Sequence, residues 1–168
     1  MSAHGYPPVK VGLIGLGTVG GGVTRVLARN AEEISRRAGR EIVITHAAAR
    51  NLSTTTANTA GMKLTEEGLE VVDDPEVSIV VELMGGHEPA RTLVLRALAN
   101  GKHVVTANKA LIARHGNEIF AAAGAAGMMV GFEAAVAGGI PIIKAIREGL
   151  AGNRLDWVAG IINGTANF

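Results

Sequence analysis

The stretch that decides the fold runs from Val9 to Gly22 and reads VKVGLIGLGTVGGG. A short apolar, β-branched run ends abruptly in the pattern Gly15-x-Gly17-x-x-Gly20, which is typical of a strand that enters a tight turn and then a helix. Gly15 permits the turn, Gly17 lets a pyrophosphate approach the backbone, and Gly20 lets the helix pack closely on the strand. Free N–H groups at the start of that helix attract negative charge. The stretch therefore predicts a dinucleotide-binding turn.

The position of the glycine motif strengthens a signal that is weak alone, because a chain with 23 glycines can carry it by chance in a loop. The motif follows a buried-strand pattern, and residues 24–37, TRVLARNAEEISRR, continue as one amphipathic helix. Its apolar positions are Val23, Val26, Leu27 and Ile34. A strand, turn and helix that bind nothing is the alternative that stays open.

Length and composition fit one domain with the beginning of another. The chain has 168 residues, 48% of them hydrophobic, and a formal net charge of +1 from scattered charges. It has no basic patch and no apolar run of membrane-spanning length, so we expect a small-molecule substrate and neither nucleic acid nor a membrane as partner. There is no cysteine, and the leading MSAHGYPP lacks the features of a secretory signal, so we expect a cytoplasmic protein.

Strand and helix patterns alternate along the rest of the chain. Strands are predicted at residues 41–49, 77–86, 103–106, 128–133 and 154–163, and helices at 65–69, 89–99, 110–126 and 142–150. This alternation predicts an α/β fold of the Rossmann type, a doubly wound and mostly parallel sheet with helices on both faces. We expect residues 1–8 to be a disordered lead, 9–150 to form the dinucleotide-binding domain, and 151–168 to begin a truncated substrate and dimerisation domain.

Several candidate residues fall at the carboxyl ends of the predicted strands, which is where such sheets bind ligands. They are Gly15 to Gly20, Arg50, Gly85-Gly86, Thr106 to Lys109, and Glu133. At the end of the second strand an acidic residue would bind the ribose hydroxyls of NAD, but here Arg50 follows instead. A guanidinium can pair with a 2′-phosphate, so the sequence favours NADP(H) over NAD(H). The alternative for Arg50 is a solvated arginine on a loop.

Some polar residues receive no functional role from the sequence. Glu82 interrupts an apolar run, and its simplest interpretation is a partly covered carboxylate at a strand end with a local partner. His87, His103 and His115 lack the spacing of metal ligands, so we expect ordinary surface or core histidines.

Four stretches together resemble homoserine dehydrogenase, over essentially the whole chain from about residue 9. They are GLIGLGTVGGGV, VVELMGGHEPARTLVLRALANGKHVVTANKALIA, FEAAVAGGIPIIKAIREGL and GIINGTANF. The segments GKHVVTANKALIA and EAAVAGGIPII are the most specific, since related oxidoreductases usually carry an acidic EKP-like motif after GKHV. The resemblance implies an NAD(P)-dependent interconversion of L-aspartate 4-semialdehyde and L-homoserine, in the biosynthesis of threonine, methionine and isoleucine.

The resemblance also implies roles for single residues. The dinucleotide would be held by Gly15, Gly17, Thr18, Val19 and Gly20, with Arg50 at its 2′-phosphate. The nicotinamide end and the substrate would lie near Gly85, Thr106 and Lys109. A monovalent cation, typically sodium, would bind the carboxylate of Glu133 and the carbonyls of Val136, Gly138 and Ile140. One carboxylate and several carbonyl oxygens suit a hard cation.

Lys109 is the candidate catalytic residue. Hydride transfer needs a cation or a donor at the developing alkoxide. A lysine beside the bound cofactor can orient the substrate, shuttle a proton or stabilise that charge. The alternative is a lysine at a helix start that only contacts phosphate or solvent.

The resemblance also implies that part of the family's catalytic machinery is absent from this sequence. Members of the family carry a substrate domain after the NGTxN segment, with a carboxylate and a second lysine that act on the substrate hydroxyl, and this sequence stops at Phe168. We therefore expect cofactor binding with little or no turnover, and a homo-oligomer for the full-length enzyme.

Two other functions stay open at this point. A sugar or inositol dehydrogenase is weakened by Ala107-Asn108-Lys109, which stands where the EKP-like motif would be. A non-catalytic module whose assembly responds to a dinucleotide would use the same glycine-rich turn without chemistry. A thiol-dependent semialdehyde dehydrogenase is excluded, because its acyl-enzyme step needs a cysteine.

Overall fold

The sheet of the protein consists of six short strands in a computed structural model that describes residues 5–55 and 57–160. The strands are β1 Val9–Ile14, β2 Ile42–Ala48, β3 Lys63–Thr65, β4 Ile79–Glu82, β5 His103–Thr106 and β6 Val130–Gly131. Every pair is parallel, and the order across the sheet is β3-β2-β1-β4-β5-β6. This is the strand order of a Rossmann sheet. The predicted doubly wound α/β fold is therefore confirmed.

Helices connect the strands and cover both faces of the sheet. They are α1 Thr18–Arg29, α2 Ala31–Ala38, α3 Gly68–Asp73, α4 Ala90–Ala99, α5 Lys109–Ala126 and α6 Ile142–Lys144. Residues Leu52–Thr54 and Glu133–Ala135 form single 3₁₀ turns, and Ala145–Gly149 continues α6 as a π-helical turn. Within the described residues, no helix combines the length and the apolar composition needed to cross a membrane.

The two faces of the sheet carry separate hydrophobic clusters, because successive side chains of a strand point to opposite sides. Ile14 of β1 belongs to the larger cluster, which also contains Val80, Val104 and the buried faces of α3, α4 and α5. Leu13 belongs to the smaller cluster on the other face. The helix predicted over 89–99 is present as α4, and it buries one apolar face that consists of Leu93, Val94, Leu98 and the two alanines Ala90 and Ala97.

The predicted helix over residues 24–37 is wrong in its bounds and its continuity. The chain becomes helical already at Thr18, directly after the glycine turn, and breaks at Asn30 before α2. Asn30 leaves the helical region at φ −110° and ψ 21°, and its carbonyl accepts the N–H of Ile34 as α2 begins. Asparagine is disfavoured in a helix interior, which fits the break, and the Asn30 side chain makes no capping hydrogen bond to α2.

Three other predicted elements differ from the structure. Thr65 belongs to a short strand, β3, and the helix predicted over 65–69 starts only at Gly68. The strand predicted over 128–133 shrinks to two residues, because only Val130 and Gly131 pair with β5. The strand predicted over 154–163 is wrong for residues 154–160, which have no regular structure, and its last three residues lie outside the described chain. Residues 1–4 of the predicted lead also lie outside it.

Candidate cofactor-binding site

The turns after neighbouring strands meet at one edge of the sheet, since the carboxyl ends of parallel strands lie together. The N–H of Gly15 donates to the carbonyl of Ala48 at 2.8 Å, and the N–H of Leu83 donates to the carbonyl of Ile14 at 2.8 Å. The turns after β1, β2 and β4 are therefore in direct contact. The structure thus brings the glycine-rich turn, Arg50, Gly85 and the start of α5 to the same edge.

At two of the three glycines in the glycine-rich turn, neighbouring backbone lies so close that a side chain would not fit. Gly15 has φ +104°, and a Cβ there would lie 2.9 Å from the Leu83 carbonyl. A Cβ on Gly20 would lie 1.9 Å from the Gly15 oxygen, so only glycine fits where α1 crosses the turn. A Cβ on Gly17 would meet no atom within 4 Å. Gly17 therefore borders open space, as a site for close backbone approach requires.

The first turn of α1 opens into this space. Gly17 is the N-cap residue and supplies no capping side chain, and Thr18 and Val19 are exposed. The first N–H groups of a helix have no partner within it and carry partial positive charge. The first turn also contains no acidic residue. This end of α1 is therefore suited to an anionic pyrophosphate.

Arg50 lies on an exposed loop that is fastened to the glycine-rich turn. The side-chain oxygen of Asn51 accepts the N–H of Ser53 at 3.0 Å and its hydroxyl at 2.7 Å, which shapes the loop after β2. Thr55 Oγ1 then donates to the carbonyl of Leu16 at 3.1 Å. Sequence reasoning missed Thr55, because the contact joins residues 39 positions apart. The loop that carries Arg50 is thus tied to the turn that leads into α1.

Glu82 is the central polar residue at the other half of the edge, and it is completely buried. One carboxylate oxygen, Oε1, accepts the N–H of Met84 at 2.8 Å, and the other, Oε2, lies 2.6 Å from Thr106 Oγ1. The Asn108 amide nitrogen approaches Oε1 at 3.4 Å. The expected local partner exists, but the carboxylate is wholly rather than partly covered. In the sequence, the only sign that Glu82 has a special role was its position in an apolar strand.

Asn108 links the turn after β4 to the helix that begins at Lys109. Its side-chain nitrogen donates to the carbonyl of Gly86 at 2.7 Å, and its side-chain oxygen accepts the N–H of Leu111 at 3.1 Å as the N-cap of α5. Gly85 and Gly86 have φ of +78° and +76°, values that favour glycine, and both border open space. Asn108 lies within the candidate range Thr106 to Lys109, but the sequence analysis assigned it no role of its own.

Lys109 and Thr106 differ in how they face the edge. Lys109 is the first residue of α5 and is exposed, so its ammonium group can reach a ligand there. The Thr106 side chain is completely buried, and its hydroxyl also accepts the N–H of Asn108 at 3.0 Å. The hydroxyl of Thr106 therefore serves the network under the edge.

Glu133 caps the helical segment that follows it. Its two carboxylate oxygens accept the N–H groups of Ile143 and Lys144, each at 2.9 Å. The carbonyl of Ile140 accepts the N–H of Ile142 at 2.8 Å. Within the described residues, no group of three or more His, Asp or Glu side chains could hold a metal ion. The Glu133 carboxylate therefore serves as the acceptor for the first N–H groups of α6, and the cation implied by the resemblance stays a prediction.

An ion-pair network joins the start of α4 to the middle of α5, beside the edge of the sheet that carries the candidate site. Arg91 Nε donates to Glu118 Oε2 at 2.7 Å, and the same guanidinium contacts Glu88. The Arg91 guanidinium lowers the pKa of Glu118. Since these side chains are substantially exposed, the pairs fix orientation more than they stabilise the fold.

The comparison with known proteins agrees with this arrangement. The profile of the family described as "Homoserine dehydrogenase, NAD binding domain" matches residues 15–133. The chain belongs to the homoserine dehydrogenase family. It is 62% identical over 161 residues to homoserine dehydrogenase from Pseudomonas aeruginosa, covering 96% of this chain and 37% of that protein. The homoserine dehydrogenase from Neisseria gonorrhoeae is 56% identical over 163 residues, covering 96% and 37%.

Solved structures of the family show the same fold. The crystal structure of a homoserine dehydrogenase from Thiobacillus denitrificans gives a TM-score of 0.90 and 68% identity, covering 96% of this chain and 38% of that one. A hyperthermophilic archaeal homoserine dehydrogenase in complex with NADPH gives a TM-score of 0.72 and 26% identity, covering 87% and 50%. The chain spans about 37% of the length of the curated relatives named above.

Proposed function

We propose that this chain is the NADP(H)-binding part of a homoserine dehydrogenase. The whole protein interconverts L-aspartate 4-semialdehyde and L-homoserine, in the biosynthesis of threonine, methionine and isoleucine. The observation that carries the proposal is the open start of α1 at Gly17, beside a turn in which a Cβ on Gly20 would lie 1.9 Å from the Gly15 oxygen. Such a turn brings a pyrophosphate against bare backbone.

The residues at the edge fit a bound NADP(H) in two halves. In the first half, the N–H groups at Thr18, Val19 and Gly20 hold the pyrophosphate, and Arg50 pairs with the 2′-phosphate. The hydrogen bond from Thr55 to the Leu16 carbonyl supports this, because it ties the loop that carries Arg50 to the glycine-rich turn. A relative with the same fold binds NADPH.

The second half of the edge receives the nicotinamide ring and the substrate. Bound NADPH supplies the hydride. Gly85 and Gly86 border open space in which a ring can lie against the backbone. Lys109, exposed at the start of α5, donates a hydrogen bond to the substrate oxygen and so stabilises the charge that develops there.

The cation implied by the resemblance enters no step of this mechanism. The Glu133 carboxylate already accepts the N–H groups of Ile143 and Lys144. A sodium ion would therefore have to share it with two backbone donors.

Assembly into a homo-oligomer and a cytoplasmic location remain part of the proposal for the whole protein.

Two measurements on the 168-residue chain test the proposal. Titration with NADPH, followed by nicotinamide fluorescence, should show saturable binding that is tighter than binding of NADH. Oxidation of NADPH with L-aspartate 4-semialdehyde should be slow or absent, because the chain spans about 37% of its relatives. Failure to bind NADPH would refute the proposal. Robust oxidation of NADPH would refute the expectation that this chain alone has little or no turnover.

A further inference from the structure

Glu82 is buried, and within residues 5–55 and 57–160 its hydrogen-bond partners are neutral groups and no cationic side chain pairs with it. It ends β4 in the middle of the sheet, with Ile14 of β1 and Thr106 of β5 as its neighbours in register. Its exposed fraction is 0%. Burial of a carboxylate costs free energy that an apolar side chain at this position would avoid. The position therefore requires an explanation other than packing.

The donors around Glu82 supply that explanation. They are the Met84 N–H, the Thr106 hydroxyl and the Asn108 amide. The Thr106 hydroxyl accepts from the Asn108 N–H, which leaves its own hydrogen for the carboxylate. An ionised carboxylate only accepts hydrogen bonds, so it can satisfy all of these donors together. Glutamine, the amide of the same size, offers an acceptor oxygen on only one of its two branches.

These side-chain contacts add to the backbone connection between the two segments, in which β4 pairs with β5 and the N–H of Ala107 donates to the carbonyl of Glu82 at 3.3 Å. Met84 leads directly into the turn that contains Gly85 and Gly86. Asn108 caps α5 and also donates to the Gly86 carbonyl at 2.7 Å, which closes the link between the two segments. The distance between the glycine turn and Lys109 is therefore set by a network with Glu82 at its centre.

We propose that Glu82 is a positioning residue for the nicotinamide half of the cofactor site, holding the Gly85-Gly86 turn and the start of α5 in fixed register. This inference rests on the proposed function. Glu82 touches neither cofactor nor substrate and acts through Met84 and Asn108. The adenosine half of the site lies at the β1 and β2 turns, which Glu82 does not contact through its side chain.

The variant Glu82→Gln tests the proposal, because glutamine keeps the volume and replaces one acceptor oxygen by a donor. Its NH₂ group must then face either the Met84 N–H or the Thr106 hydroxyl. Two ligands distinguish the two halves: NADPH, and adenosine 2′,5′-bisphosphate, which lacks the nicotinamide half. We expect about tenfold weaker binding of NADPH, the effect of a binding-competent arrangement that is populated only about one-tenth of the time, and unchanged binding of the bisphosphate. The emission maximum of bound NADPH should also shift towards that of free NADPH.

Asp74→Asn is the matched control, since it makes the same carboxylate-to-amide change on the loop before β4, where Asp74 contacts His46. It should lower the melting temperature and leave the ratio of the two dissociation constants unchanged. Equal weakening of both ligands by Glu82→Gln, or no weakening of either, would overturn the positioning role. Failure of the unsubstituted chain to bind NADPH would instead refute the proposed function, and the positioning role with it.

A second variant keeps the test decisive if Glu82→Gln does not fold. Asn108→Ser retains a good N-cap for α5 and removes the amide that reaches Gly86 and Glu82. It should show the same selective loss of NADPH affinity. A folded Asn108→Ser chain with normal affinity for both ligands would overturn the proposal.

Discussion

His46 Nδ1 lies 2.8 Å from Asp74 Oδ2, which joins β2 to the loop that leads into β4. His46 is 1% exposed, and the other oxygen of Asp74 accepts the N–H of Glu76 at 2.9 Å. The ammonium group of Lys102 donates to the carbonyls of Asp74 and Val77 at 2.5 and 2.8 Å. These hydrogen bonds join β2, the loop before β4 and the residue before β5, at the edge of the sheet opposite the candidate site.

Asp74→Asn should lower the free energy of unfolding at pH 7 by about 1–2 kcal/mol, because an amide cannot accept from both the Glu76 N–H and a His46 N–H. Urea unfolding followed by circular dichroism measures this change. Asp156→Asn is the control: Asp156 pairs with Arg154, and both side chains are largely exposed. That variant should change the stability by less than about 0.5 kcal/mol, and an equal loss in both variants would contradict the role of Asp74.

The same contact predicts how stability changes in acid. Burial raises the pKa of Asp74, but hydrogen bonds from the Glu76 N–H and from His46 outweigh it, and the pKa of Asp74 lies below its ordinary value. The stabilisation is therefore complete above about pH 4 and is lost as the pH falls through the lowered folded pKa. The stability difference between the unsubstituted chain and Asp74→Asn should narrow below about pH 4. A difference that grows in acid would contradict this assignment.

Gly20→Ala should destabilise the chain by about 1–3 kcal/mol and abolish NADPH binding, because its Cβ would lie 1.9 Å from the Gly15 oxygen. Gly22→Ala in the same helix is the control, since a Cβ there meets no atom within 4 Å. It should raise the stability by about 0.5–1 kcal/mol. Thermal unfolding and NADPH titration of both variants check the pair. Equal behaviour of the two variants would show that the crossing of α1 over the turn is not tight.

The sequence predicted the strand-turn-helix unit and the shared edge because the signals for both are local. The glycines at 15 and 20 are required within one short segment, and the alternation of strands and helices determines which strand ends lie together. The break at Asn30 was missed because apolar spacing continues across it, and only the capping geometry reveals two helices. Apolar composition also misplaced a strand at 154–160, since a strand needs a pairing partner as well as suitable residues.

The hydrogen-bond network beneath the site could not be predicted, because it joins residues that are far apart in the sequence. Glu82 contacts Thr106 and Asn108, which lie 24 and 26 positions further along the chain. Likewise, the carboxylate of Glu133, at which the resemblance implies a cation, accepts two N–H groups ten and eleven residues away. Which partner a carboxylate finds depends on tertiary packing, and the sequence showed only that each carboxylate occupies an unusual position.

Glu133→Ala should release the start of the helical segment over residues 142–149. The Ile143 and Lys144 N–H groups would lose their acceptor, at a cost of about 1 kcal/mol for the cap. Hydrogen exchange should accelerate at these two amides and leave those of β1 unchanged. Glu148→Gln, at an exposed carboxylate near the end of the same segment, is the control and should change little. Sodium-specific slowing of exchange at matched ionic strength, lost in Glu133→Ala, would favour a cation site over a cap.

Arg50→Ala should reduce the affinity for NADPH by about tenfold to a hundredfold, the range expected for one hydrogen-bonded contact between charged groups. Affinity for NADH should not change, because NADH lacks the 2′-phosphate that the guanidinium would bind. Arg36→Ala is the matched control, since Arg36 is an exposed arginine of α2 that pairs with Glu33. Titrations of both variants with both nucleotides at one salt concentration measure the selectivity. Equal losses for NADPH and NADH in Arg50→Ala would assign Arg50 a general electrostatic role and remove the basis for NADP(H) preference.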